Sequence, residues 1–103
     1  MEKNGSSDFT QVIELQNASE RLVVEFLQTD LSLSFTFADL AETERKIGDP
    51  AASRSILEKA EVGYATIARF LPRVKQEEAK DEISRSLIAL RARLDGAQAA
   101  APS

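Results

Sequence analysis

The stretch FTFADLAETERKIGDPAASRSILEKAEVGYATIARFL, Phe35 to Leu71, decides the fold. In its first part Phe37, Leu40 and Ile47 recur at steps of three and seven. That spacing keeps them on one face of a 3.6-residue helix. Gly48 then stands where a helix ends on a left-handed residue, a conformation that favours glycine. Asp49 follows as an N-cap, and Pro50 takes the first position of a new helix, where its missing N–H costs nothing. Beyond it, Ile56, Leu57, Ala60, Gly63, Tyr64, Ile67, Ala68 and Leu71 make a second apolar face. Arg54, Glu58, Lys59, Glu61 and Arg69 face water. The whole is a helical hairpin, and it puts the chain in the all-α class.

Working toward the N-terminus, Leu22, Phe26, Leu33, Phe37, Leu40 and Ile47 line one stripe. Val24, Leu27, Leu31, Phe35 and Ala38 form a second stripe beside it. Both keep register through Thr29-Asp30, which predicts one helix over 18–47. Asn17 with Glu20 has the capping-box spacing for its start. Leu31, Leu33, Phe35 and Phe37 also alternate with Ser32, Ser34 and Thr36, a strand pattern. No other segment alternates, so a strand there lacks a partner within the chain.

Toward the C-terminus, Pro72 ends a second helix expected over 50–71. A third, over 75–94, has the seam Ile83, Leu87, Leu90 and Leu94. Its acidic residues come early and Arg91 and Arg93 late, as the helix dipole favours. Gly96 is placed to close it, and Gly63 inside the second helix suggests close helix–helix approach. The expected architecture is an antiparallel three-helix bundle with a long first helix. Residues 9–95 form one helical domain between a disordered 1–8 and a loose tail, 96–103.

Composition excludes several functions. The chain of 103 residues has a net charge of −4, distributed as −6 over residues 1–68 and +2 over 69–103. The basic excess is interleaved with Glu77, Glu78, Asp81 and Glu82, so neither nucleic acid nor an anionic membrane is expected as a partner. There is no cysteine and no histidine. Thiol nucleophiles, disulfides, imidazole acid–base chemistry and thiolate or imidazole metal sites are thereby removed. The many carboxylates read as a solvated face. Residues 1–8 lack the apolar core of a signal peptide, and no apolar run reaches the ~18 residues that span a bilayer. The expectation is a cytoplasmic protein with no catalytic residue, no cofactor and no metal.

The first helix is about 45 Å long and the others about 30 Å. Its excess lies around Leu22-Val23-Val24-Glu25-Phe26-Leu27, a segment apolar on more than one side. Leu22, Val23, Val24, Phe26, Leu27, Leu31 and Phe35 are therefore the candidate interaction surface. Asp30 and Glu44 fall within the apolar seam, where each either pairs locally or meets a partner's basic group. Arg69 and Arg73 flank the bend as a candidate anion site or as ordinary surface arginines. Tyr64 reads as a core tyrosine whose hydroxyl reaches the surface.

Phe37, Leu40 and Ala41, the Gly48-Asp49 turn, and Ser53, Leu57 and Ala60 together resemble a single tetratricopeptide-repeat hairpin. Glu44 stands where that family has an aromatic residue, and Pro72 comes about two turns late. No second copy is present, so a repeat solenoid is excluded. The hairpin with its added helix, through Ala38, Ala41, Gly48, Ala60 and the third seam, is also similar to the microtubule-interacting-and-trafficking domain. That resemblance implies grooves that accept peptides. Leu27 to Phe37 resembles a segment of short bacterial proteins, which implies no activity. The leading expectation is a non-catalytic interaction or self-association module, a homodimer able to accept a helical peptide or protein partner. Two alternatives stay open. One is a small helical enzyme of chorismate-mutase type, a family of three-helix dimers working with Arg, Lys, Glu and Gln. The other is a regulatory or scaffold subunit.

Overall fold

The computed structural model describes the backbone of residues 5–100 and the side chains of residues 19–100. Helix α1 runs Gly5–Lys46 and α2 Pro50–Phe70. A 3-10 turn, Leu71–Arg73, then leads to α3, Glu77–Ala100. The chain is an all-α, antiparallel three-helix bundle with a long first helix. Leu31 to Phe37 lies inside α1, so its alternation marks two helix faces and not a strand.

The hairpin turn is built from its own residues. Gly48 has φ +91°. Its N–H donates to Arg45 O at 3.2 Å, and the Asp49 N–H donates to Glu44 O at 2.9 Å. These bonds satisfy the carbonyls that α1 leaves open at its end. The Asp49 carboxylate then accepts from the Ala52 N–H at 3.1 Å, capping α2 one residue before Pro50. The Ser53 hydroxyl donates to Ala41 O at 2.7 Å and ties the two helices just behind the turn.

Leu27, Leu31, Ala38 and Ala41 of α1 meet Leu57, Ala60 and Ile67 of α2 and Ile83, Leu87, Leu90 and Leu94 of α3. Val74 seals the end beside the 3-10 turn. The α1–α2 contact is close because Ser34, 1% exposed, lies against Gly63. A Cβ at position 63 would collide with Ser34 Oγ and sit 3.3 Å from its Cβ.

Three boundaries differ from expectation. First, α1 begins at Gly5, not near residue 18. Glu20 does not close a capping box. Its Oε2 accepts the Lys75 and Gln76 N–H groups, each at 2.9 Å. Second, α3 begins at Glu77, because Gln76 O already accepts the Lys80 N–H and so acts as the cap. Third, α3 passes through Gly96 to Ala100. Gly96 does not take the left-handed conformation. It costs roughly 1 kcal/mol there relative to Ala, and the residues that follow, Ala97, Ala99 and Ala100 among them, are good helix formers. Residues 1–4 and 101–103, the outer parts of the expected loose ends, lie outside the described residues.

The molecule is a rod of 70 × 22 × 15 Å. Its radius of gyration is 19.0 Å, against about 13 Å for a compact chain of this length. The cause is α1, whose 42 residues extend about 63 Å while α2 covers about half of that.

Candidate docking face on α1

Over its described side chains, from residue 19 onward, helix α1 has two apolar faces, and only one of these is covered. The buried one is the stripe Leu27, Leu31, Ser34, Ala38 and Ala41. The other carries Leu22, Phe26, Leu33 and Leu40 and continues into Ile47, the first residue past the helix, with Phe26, Leu33, Leu40 and Ile47 spaced seven residues apart. At 100° per residue the two stripes lie about 130° apart around the helix. Leu22 is 64% exposed, Phe26 49%, Leu33 47%, Leu40 42% and Ile47 70%. Such regular spacing over some 31 Å is the pattern of a helix that packs against another helix.

Threonines fill the intervening positions. Thr29, Thr36 and Thr43 are all exposed, each three residues after a member of the series. The Thr36 hydroxyl donates to Ser32 O at 2.9 Å and the Thr43 hydroxyl to Asp39 O at 3.1 Å. With their hydroxyls satisfied by the helix's own carbonyls, neither residue needs a polar partner from outside. The face is therefore more apolar than its composition suggests.

This placement redraws the surface expected from sequence. Leu22 and Phe26 lie on the open face. Leu27 and Leu31 do not: they are 0% and 6% exposed and belong to the core. Val23, Val24 and Phe35 pack against that core. The reason is volume. The stripe with Ser34, Ala38 and Ala41 lets α2 approach closely, whereas Leu33 and Leu40 would hold it off. Leu33, Leu40 and Ile47 are the members of the open face that the expected surface lacked. Their strict heptad spacing was the available signal.

At one end of the face Phe26 meets Phe70 edge-on, with centroids 6.3 Å apart. Arg69 and Arg73 stack on the same Phe70 ring at 5.7 and 5.0 Å. The two candidate anion-binding arginines thus serve as aromatic cover.

Asp30 and Glu44 lie beside the face. Burial pushes the Asp30 carboxyl above its ordinary value. The strongest polar cluster lies elsewhere, between α2 and α3. There Arg91 grips Glu61 with two bonds, 3.0 and 2.8 Å, reaches Asp95 at 3.0 Å and lies 4.7 Å from the Tyr64 ring centroid. Hydrogen bonds from Arg91 hold the Glu61 carboxyl below its usual range, and Glu61 holds the guanidinium proton more tightly in return. Glu61 is therefore not the free solvated carboxylate expected from sequence. Among the described residues no three Asp or Glu side chains gather as a metal site.

A cleft of about 250 Å³ runs between the C-terminal half of α3 and the hairpin, lined by Ala38, Ala41, Ser53, Ala92, Ala97 and their neighbours. It is smaller than an ordinary ligand pocket. Among the described residues no helix is long and apolar enough to cross a membrane. No protein-family model, curated protein or solved structure matches this chain.

Proposed function

We propose that this protein is a non-catalytic helical interaction module of the cytoplasm, and that it docks protein through the open face of α1. The observation that carries this reading is the line of large apolar side chains at Phe26, Leu33 and Leu40 of α1 and Ile47 just past its end, each at least two-fifths exposed. Exposed apolar rows of this length mark interaction surfaces. Covering the exposed part of each such side chain is worth on the order of 1 kcal/mol. The total is comparable to the cost of bringing two chains together, so association depends on concentration.

Light scattering on the full chain over a wide concentration range tests this. The expected result is a mass above that of the monomer at high concentration. Leu33→Glu combined with Leu40→Glu should return the monomer with unchanged helical circular dichroism, because neither side chain belongs to the core. A wild-type chain that stays monomeric throughout, or an association indifferent to those two substitutions, would remove the α1 face from this role.

A further inference from the structure

Resting on the reading of this face as a docking surface, we infer that its occupant is a second copy of α1, packed antiparallel, in the register that sets Leu33 against Thr36 of the second copy.

The first argument is shape. In this register Phe26 meets Thr43 and Leu33 meets Thr36, and the two-fold axis repeats both contacts as Thr43 with Phe26 and Thr36 with Leu33. The same register sets Leu40 against Thr29 and Ile47 against Leu22. Large apolar groups thus face small methyl-bearing ones along most of the contact, as interdigitated packing requires. The hydroxyls of Thr36 and Thr43 need nothing from the second copy, since each already donates within its own helix. A parallel pair would instead stack Phe26 on Phe26 and Thr36 on Thr36, crowding one layer and leaving a gap in the next.

The second argument is charge. The flanks of the face are Glu25, Ser32, Asp39 and Lys46 on one side, and Val23, Asp30, Phe37 and Glu44 on the other. The antiparallel register brings Glu25 to Lys46 of the second copy twice over, and Ser32 to Asp39. It sets Asp30 and Glu44 beside Phe37 and Val23. A parallel pair sets Glu25 against Asp30 and Asp39 against Glu44. Sliding the antiparallel pair by seven residues in one direction opposes Glu25 to Asp39 and Asp30 to its own copy. Sliding it in the other direction opposes Asp39 to its own copy and Asp30 to Glu44. Of these arrangements one is free of like-charge contacts, and like charges facing each other select against the rest. Within its own chain Asp39 pairs with Arg93, and Lys46 reaches Glu42 at 3.5 Å. Lys46 is 66% exposed and remains free to swing across.

The chain has no cysteine, so an introduced one is unique. Leu40→Cys and Thr29→Cys, both at exposed positions, are prepared separately in the full chain. Mild oxidation of the mixture should give a disulfide dimer joining one variant to the other. Neither variant alone should cross-link: in the antiparallel pair the two copies of position 40 are displaced by about 16 Å along the axis, beyond the ~7 Å limit between bridged Cα atoms. If Leu40→Cys cross-links to itself, the pair is parallel. The inference then fails while the docking reading stands. If the mixture does not cross-link although light scattering gives a dimer insensitive to Leu33→Glu, a different face pairs, and both fail. Charge exchange is the second readout. Lys46→Glu and Glu25→Lys should each raise the dimer dissociation constant about tenfold, and the double variant should restore it. Those two residues are about 31 Å apart on one helix, so restoration can only come from across the interface, and its absence overturns the register.

Discussion

At the scale of single residues, three positions carry effects that the fold makes measurable. Asp30 sits beside the open face, and burial raises its carboxyl above the ordinary value. An acid raised in the folded state favours folding below its unfolded value of about 3.8 and disfavours it as pH rises through the raised one. Asp30→Asn should therefore stabilise the protein at pH 7 and leave it unchanged near pH 3, as urea unfolding at the two pH values would show. Glu61 has the opposite sign. Its carboxyl is lowered by the Arg91 hydrogen bonds, so its contribution is present above about 4.5 and is lost as pH falls through the lowered value. Arg91→Met should cost about 1 kcal/mol at pH 7 and less at pH 3, and an equal cost at both would contradict the pairing. Gly63→Ala removes a helix-interior glycine, which by itself favours the helix by about 1 kcal/mol. Here the new methyl group meets Ser34, and overpacking costs about 1–3 kcal/mol. The net change should be destabilising, and smaller in a Ser34→Gly background, in a double-mutant cycle read by thermal unfolding.

At the scale of elements, the legible parts were those in which neighbouring residues interact. The Gly48-Asp49-Pro50 turn was legible because its bonds, Gly48 to Arg45, Asp49 to Glu44 and Ala52 to Asp49, each close within three to five positions. The α3 seam was legible because Ile83, Leu87, Leu90 and Leu94 form a single apolar stripe, and all four are buried. The covered face of α1 was not legible, because that helix carries two apolar stripes of similar content. Ser34 tipped the choice: a polar residue is buried because it is small and Gly63 stands opposite, information held 29 positions away. The same distance problem hid the start of α3. The N–H groups just ahead of it are accepted by Glu20 of α1 across more than fifty residues, which no local capping pattern reports. Glu20→Ala should fray the first turn of α3 and cost about 1 kcal/mol, visible as faster amide exchange at Lys75 and Gln76 while the Leu87–Leu94 segment keeps its protection.

At the scale of the whole molecule, shape and stability are linked through α1. A chain whose radius of gyration is 19.0 Å where a compact one would have about 13 Å leaves much apolar surface in water. Single domains near 100 residues bury a limited fraction of their surface and have little stability to spare. A second α1 laid on the open face would remove Phe26, Leu33, Leu40 and Ile47 from water without disturbing the core stripe on the far side. Folding and pairing would then be coupled, and the melting temperature would depend on protein concentration. A hundredfold increase in concentration should add about 1.4 kcal/mol per chain to a folded dimer, which for a domain of this size raises the melting temperature by about 5–10 °C. The Leu33→Glu, Leu40→Glu variant should lose that dependence and melt, at every concentration, near the value that the wild-type chain approaches on dilution. Circular dichroism melts at both ends of the range decide it. A wild-type melting temperature that does not move would mean that α1 is stable with its outer face in water, and that the bundle is complete with three helices.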